Sequence, residues 1–266
     1  MTDVPPRLRE IAEDLNANLP LGEGRQRIVD DRFVIWIGTR DHPAFTVVQR
    51  LRLQGHDVAA TVAEVRELLA TRFDRHRASW EVGSSAEPAD LEEQLVALGM
   101  APDPEEPLAT GMVLVGGAPE PPAGVEARIC ETVDDYLQAQ AIMNRAFGMP
   151  EEDAATARAA AERQHAQDLR TETTRTFMAF VDGEPAAAAA ATFLPEVVVM
   201  NGGATVEHLR GRGAYRALVA ARFAEGVRRG TPALLTQAGA MSRPILARLG
   251  FEPVARVRIL IDEGGG

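Results

Sequence analysis

The sequence predicts an α/β protein whose sheet mixes parallel and antiparallel strands. Three observations carry that expectation. The second half reads as strands and helices in the order β-α-α-β-β-β-α-β-α-β. A segment rich in glycine and proline, Gly116 to Gly124, cannot continue a ladder or a helix and divides the chain. The two parts also echo each other: Leu68-Leu-Ala-Thr-Arg-Phe73 matches Leu218-Val-Ala-Ala-Arg-Phe223, and Leu98-Gly-Met100 matches Leu249-Gly-Phe251, at an offset of about 150 residues. Between these anchors both copies read helix, short strand (Trp80 to Val82; Ala233 to Thr236), helix, as an internal duplication would. Two domains are expected, 1–118 and 124–266, within the range that 266 residues allow.

Composition narrows the function. Hydrophobic residues are 45% and charged residues 25%, a globular balance. A formal net charge of -11 argues against an extended nucleic-acid surface, which needs clustered positive charge. The longest apolar stretch, Pro185 to Met200, is broken by Pro195 and Glu196, so no membrane span is expected. The first residues, MTDVPPRLRE, lack the apolar core of a signal peptide, which suggests a cytoplasmic protein. Cys130 stands alone, so no intrachain disulfide and no cysteine metal cluster can form. All 28 basic residues are arginine, which excludes a lysine Schiff base. Residues 1–123 hold 12 arginines against 21 acids, and residues 124–266 hold 16 against 18. An anionic ligand therefore belongs in the second half, where the field repels it less.

The elements of that half follow in order. Val125 to Cys130 alternates weakly, as a strand does. Thr132 suits an N-cap, with Asp134 and Asp135 in the first turn where the helix dipole favours acids. That helix should run to Phe147 and stop at Gly148 and Pro150. Glu151 to Leu169 is a second run of strong helix formers. Thr176 to Val181 reads as a strand, and Asp182-Gly183 as a type I′ hairpin turn. Propensity alone would make a helix of the six alanines from Ala186 to Ala191. Their place between that turn with Pro185 and Thr192-Phe193 makes them a strand, kept small so that something can pack close. Val197 to Met200 is a strand that Asn201-Gly202-Gly203 interrupts as a bulge before it resumes at Ala204 to Val206. Ala214 to Arg229 is a helix stopped by Gly230. A strand from Ala233 to Gln237, a helix from Ser242 to Leu249 and a closing strand pair or one bent strand from Phe251 to Ile261 complete the half.

Chemistry concentrates at Val206 to Leu218, where a strand enters a glycine-containing loop and the loop enters a helix. Gly211 and Gly213 remove side chains where main chain must approach a ligand. The free N–H groups of the first helical turn then suit phosphate oxygens. From Ala204 to Gly230 six arginines face two glutamates, a local +4 in an acidic protein. A glycine-punctuated turn before a solvated basic helix would look the same.

Arg210-Gly211-Arg212-Gly213 resembles the pyrophosphate loop of the GNAT superfamily of acyl-CoA-dependent N-acyltransferases, whose pattern is Gln/Arg-x-x-Gly-x-Gly/Ala. The resemblance extends over residues 124–262, through Ser242-Arg-Pro-Ile-Leu-Ala-Arg-Leu-Gly-Phe251. It implies a mixed-sheet GNAT-type fold in tandem with a degenerate first copy. It implies acetyl-CoA or another acyl-CoA as cosubstrate, with Thr205 and Val206 holding the pantetheine arm through main chain that the split after the bulge leaves unpaired. It also implies that amides from Gly211 through Arg212, Gly213 and Ala214 to Tyr215 hold the pyrophosphate. Tyr215 departs from the pattern, which has Gly or Ala there. Gly213→Asp is expected to repel the diphosphate without unfolding the protein.

Acyl transfer from a thioester needs a free amine, a stabilised oxyanion and a proton for the departing thiolate. Many relatives supply the proton from a tyrosine four residues before the Gly-Phe pair; here that residue is Leu246, and the usual asparagine is Gly239. Ser242 is a substitute donor that also suits the N-cap of the last helix. Glu196 is a candidate base or water-orienting residue that also reads as a solvated turn charge. His208, beside the loop, reads as exposed. In the first half Ala60 to Val65 stands where the second has Arg210 to Tyr215, with no glycine and with Glu64 set to repel phosphate. His42, before Pro43, suits a turn, and no histidine pair has metal-ligand spacing. By resemblance to tandem enzymes of the mycothiol synthase type, this half would supply a wall of the acceptor cleft or an interface. The expectation is an N-acyltransferase for a small amine by direct transfer in a ternary complex. The alternative is a non-catalytic acyl-CoA-binding or sensing protein. No metal is expected, and a homo-oligomer is left open.

Overall fold

Amphipathic spacing and turn chemistry set the elements in chain order. The computed structural model describes residues 4–148 and 153–264. Helix α1 (Pro6–Glu13) buries Leu8, Ile11 and Ala12, and the single turn α2 (Leu15–Asn18) follows. Strands β1 (Gln26–Val29), β2 (Val34–Ile37) and β3 (Thr46–Gln49) lead to α3 (Val58–Phe73). The last of these buries Val58, Val62, Val65 and Leu69 at helical spacing. Next come β4 (Ala78–Gly83), α4 (Leu91–Ala97), β5 (Ala101–Pro102) and β6 (Leu108–Leu114). The second half has β7 (Val125–Ile129), α5 (Val133–Ala146), α6 (Ala154–Thr171), β8 (Thr174–Val181), β9 (Glu184–Phe193) and β10 (Val198–Thr205). It ends with α7 (Ala214–Arg228), β11 (Leu234–Ala238), α8 (Arg243–Arg248) and β12 (Glu252–Asp262).

The chain forms two compact units, Val4–Met112 with Gln237–Ala247 and Pro253–Gly266, and Val113–Thr236 with Arg248–Glu252. Near the expected 118/124 division the chain changes unit at Met112/Val113, and most of α8 and β12 lies with the N-terminal unit. There β12 pairs antiparallel with β4 from Val257↔Gly83 to Asp262↔Ala78, beside β3, which runs parallel to β4. Trp80, Val48, Ile35 and Leu260 pack with α3 and α4 in that unit's core.

In the other unit β7, β8, β9 and β10 pair antiparallel, and β10 runs parallel to β11. Thr132 caps α5 reciprocally with Asp135. Pro150, expected with Gly148 to stop this helix, and Glu151, expected to open the next, lie outside the described residues. Asp182 and Gly183 both take positive φ, as a type I′ turn requires. The alanines form the middle of β9. Ala188 belongs to the core of Tyr136, Ala139 and Ala161 from α5 and α6, while Ala189 lies near Gly203 and the ring of Tyr215 from α7. Successive residues face opposite sides of a sheet, so short side chains let helices approach from both faces.

Candidate functional site

The site begins at an irregularity in β10. Its pairing with β9 slips between Asn201 and Ala204, and its parallel pairing with β11 covers only Val198 and Val199. Beyond that point the edge of β10 turned away from β9 has no strand partner among the described residues. Antiparallel alternation decides which main-chain groups face this edge. The Val206 N–H donates to Ala186 O at 2.8 Å and the Val206 carbonyl accepts from Leu209 N–H. Val206 is thus not left unpaired: its main chain is committed to the protein, and Thr205, one step out of phase, turns its groups to the open edge.

A single 3-10 turn, Glu207–Leu209, follows, anchored by the buried Leu209. The chain then extends through Arg210, and Gly211 and Gly213 adopt φ of +77° and +91°. Among the described residues, the N–H groups of Gly211, Arg212, Gly213, Ala214, Tyr215 and Arg216 meet no acceptor; the first later bond is Ala217 N–H to Gly213 O at 3.0 Å. No side chain caps the helix. These donors open α7, whose dipole adds positive partial charge. Arg210 and Arg216 are exposed and make no ion pair among the described residues, whereas Arg212 pairs with Asp182 at 2.5 Å and His208 with Glu184 at 3.1 Å.

Gly213 is glycine for a steric reason that the sequence did not disclose. A Cβ there would lie 2.3 Å from Pro122 Cγ, so the end of the glycine-proline segment rests on the loop. This corrects the expectation for Gly213→Asp: any side chain must displace Pro122 and adopt a strained φ, so the variant would perturb folding as well as binding. Gly211 faces open space.

The two candidate catalytic side chains, Glu196 and Ser242, fall in different units. Glu196 is exposed in the turn that starts β10, about 20 Å of strand before Gly202 at ~3.3 Å per residue. Ser242 belongs to the other unit, where its hydroxyl reaches Gly239 O at 3.4 Å and its carbonyl accepts from Ile245 and Leu246 at the start of α8. Leu246 is 1% exposed, a core residue. Gly239 holds no side chain because the Glu106 carboxylate fills the space, its oxygens 3.1 and 3.2 Å from the Ala240 N–H.

Two features of the loop's surroundings escaped the sequence reading. Tyr215 is half-buried, and a Cβ at Gly203 would meet its Cε2 at 3.1 Å, so the ring lies against the bulge. Arg222, two turns into α7, is fully buried. It donates from Nε to Leu218 O at 3.0 Å and from Nη1 to Ala190 O at 3.4 Å, and Nη2 has no partner among the described residues. Burial pushes the guanidinium below arginine's usual range, partly offset by the neighbouring Tyr215 phenol. Nothing in the local sequence of this helix signals that Arg222 turns inward.

No family model and no curated protein matches this sequence. Among solved structures, the chain is similar to a GCN5-related N-acetyltransferase from Kribbella flavida, with TM-score 0.69 and 23% identity, covering 97% of this chain and 96% of that one. It is also similar to a tandem GNAT protein from the clavulanic acid biosynthesis pathway, with TM-score 0.60 and 19% identity over 98% and 89% of the two chains. A GCN5-related N-acetyltransferase from Sphaerobacter thermophilus gives 0.60 and 15% over 92% and 84%. The fold is thus the mixed α/β fold of GNAT acetyltransferases, one of these neighbours being a tandem protein. No helix of the described residues is long and apolar enough to cross a membrane, and they contain no group of three or more His, Cys, Asp or Glu able to hold a metal ion.

Proposed function

We propose that this chain is an acyl-CoA-dependent N-acyltransferase, using acetyl-CoA and acting on a small amine by direct transfer in a ternary complex. The observation that carries the proposal is the run of unsatisfied N–H groups from Gly211 to Arg216 at the start of α7, on a fold shared with GNAT acetyltransferases. In this reading those amides hold the diphosphate, Arg210 and Arg216 add long-range attraction, and Thr205 offers its outward main chain to the pantetheine amides. The amine nitrogen attacks the thioester carbonyl carbon, the C–N bond forms, and the C–S electron pair leaves on sulfur, which then takes a proton. The N-terminal unit acts as a degenerate copy without a cofactor loop, and its excess of acid favours a cationic amine acceptor.

A second reading, an acyl-CoA-binding or sensing protein without catalysis, is motivated by Leu246 and Gly239, which leave no tyrosine or asparagine at the positions relatives use. The test has two parts. Millimolar CoA should raise the melting temperature; no shift would remove both readings. Thiol release from acetyl-CoA across a panel of amines should exceed the enzyme-free rate, and binding without release would favour the sensor.

A further inference from the structure

We infer that a small cavity beside the start of α5 binds an α-amino acid with a short apolar side chain. The inference stands apart from the acyl-CoA reading. The cavity is lined from the end of β7, α5, the last turns of α6 and the start of β8, and none of its lining residues belongs to β10 or α7.

The volume is about 220 Å³. An apolar cavity of about 150 Å³ takes up benzene, so this one suits a compact body of that size with a polar end, smaller than a drug-sized ligand. The protein itself satisfies the buried polar wall. Asp168 is buried, and its carboxylate accepts from the Tyr136 hydroxyl at 2.8 Å, Gln164 Nε2 at 2.8 Å and the Thr174 hydroxyl at 2.7 Å. Burial pushes the Cys130 thiol up to about 12, so it stays neutral and serves as an apolar wall. The His165 ring lies 5.4 Å from that of Tyr136 and closes another side. Leu169 also lines the cavity and is 66% exposed, apolar surface that a ligand's side chain would take out of water.

Two charged groups of the lining lack a counter-ion. Arg175 is half-buried and fixed through Nη1, which donates to Asp168 O and, at 2.6 Å, to Thr174 O. Its Nε and Nη2 have no partner among the described residues, and no carboxylate there pairs with it. That edge can hold a carboxylate through two parallel hydrogen bonds. Glu131 is exposed two residues past β7, and its carboxylate makes no hydrogen bond or ion pair among the described residues. The neighbouring Arg128 is held instead by Asp135, at 2.6 and 2.9 Å.

This balance of charge selects the ligand. Two carboxylates against one guanidinium repel a bare carboxylate, and a bare amine leaves the guanidinium edge empty. A zwitterion answers both. Its carboxylate takes the Nε–Nη2 edge of Arg175, its ammonium is drawn to Glu131 and to the field of Asp168, and its side chain covers Ile129 and Leu169.

The test titrates the isotopically labelled full chain with L-leucine, with 4-methylpentanoate, which lacks the ammonium, and with isoamylamine, which lacks the carboxylate. Resonances of Ile129 and Leu169 should shift and saturate with leucine, and each half-analogue should bind about tenfold more weakly. Arg175→Met should weaken leucine about tenfold and leave isoamylamine no weaker. Glu131→Gln, at an exposed position, should weaken leucine about fivefold and leave 4-methylpentanoate no weaker. If Arg175→Met fails to fold, Glu131→Gln decides. Saturating CoA should not displace leucine. A half-analogue that binds as tightly as leucine, or no saturable shift with any of the three, would overturn the inference. So would leucine that is displaced by CoA, or that shifts Gly202 and Gly203 in place of Ile129 and Leu169. None of these results removes the acyl-CoA reading, which fails instead if CoA itself does not bind.

Discussion

The strand-helix-strand segments β3-α3-β4 and β10-α7-β11 share one topology, an antiparallel meander leading into a parallel pair, and differ at the start of the helix. In α3 the Asp57 carboxylate accepts from Ala60 N–H at 3.0 Å and the Thr61 hydroxyl bonds back to Asp57 O at 2.9 Å. That helix begins at Val58, so Ala60 to Val65 is already helical and the first turn is closed by the protein's own side chain. In α7 the equivalent region is a loop with two positive-φ glycines, and the first turn has no internal acceptor. The same connectivity is thus sealed in one unit and left open in the other. A fold does not fix a binding site; the satisfaction of a few helix-terminal donors does.

The comparison can be broken first at Gly213. Gly213→Ala should cost the second-half unit about 2–4 kcal/mol, through strained φ and collision with Pro122, whereas Gly211→Ala, into open space, should cost about 1–2 kcal/mol. Urea denaturation of the two variants checks this; equal losses would mean that Pro122 does not rest on the loop.

The two units should also fail at opposite ends of the pH scale. In the N-terminal unit Glu81 is buried beside Asp14, Oε2 has no partner among the described residues, and burial with the Asp14 charge pushes its carboxyl up to about 8. Asp14 is itself raised to about 6, first by burial and then by Glu13. Both bind protons more tightly folded than unfolded. Their stabilisation is complete below the ordinary carboxylate range, about 4, and is lost as pH rises toward 8. Glu225 is the reverse: hydrogen bonds from Arg228 and Arg229 lower it to about 2, so its contribution is present above about 4 and lost as pH falls. Hydrogen exchange resolved by segment should show α1 and β4 loosening at pH 9 and the C-terminal end of α7 at pH 3. Glu81→Gln should remove an alkaline loss on the order of 2 kcal/mol. An N-terminal unit equally protected at pH 5 and 9 would contradict this.

Smaller still, Asp57→Ala should destabilise α3 by about 1 kcal/mol and leave acetyl-CoA affinity unchanged. Arg210→Glu should leave stability unchanged and weaken acetyl-CoA roughly fivefold, an effect of about 1 kcal/mol that fades with salt. A pantetheine thioester lacking the diphosphate should not respond to it. Calorimetry on both variants separates the outcomes.

What was legible in the sequence is what neighbouring residues decide. Asp182-Gly183 overrode the helical preference of six alanines because a turn fixes register locally, and Asn201-Gly-Gly203 marked the bulge because little else tolerates that geometry. The α7 start could be read from its two glycines. Long-range partners were not legible. Nothing near Val257 says that it meets Gly83, nothing near Gly213 says that Pro122 covers it, and Glu81 within Trp80-Glu-Val82 gives no hint that both faces of its strand are buried. The site was legible as a loop but not as a set of side chains, because Arg222 turns inward only once β9 is in place and Val206 is paired only once β9 and β10 take their register. Helices α1 and α2 carry no motif and were not foreseen.

The most direct measurement is a titration of the labelled full chain with CoA, following individual amide resonances. The amides of Gly211, Gly213 and Ala214 should shift progressively and saturate as they gain phosphate acceptors, while Ala60 and Thr61 in the sealed first turn of α3 stay still. Loop resonances that do not move while CoA perturbs other residues, or perturbs none, would contradict the account.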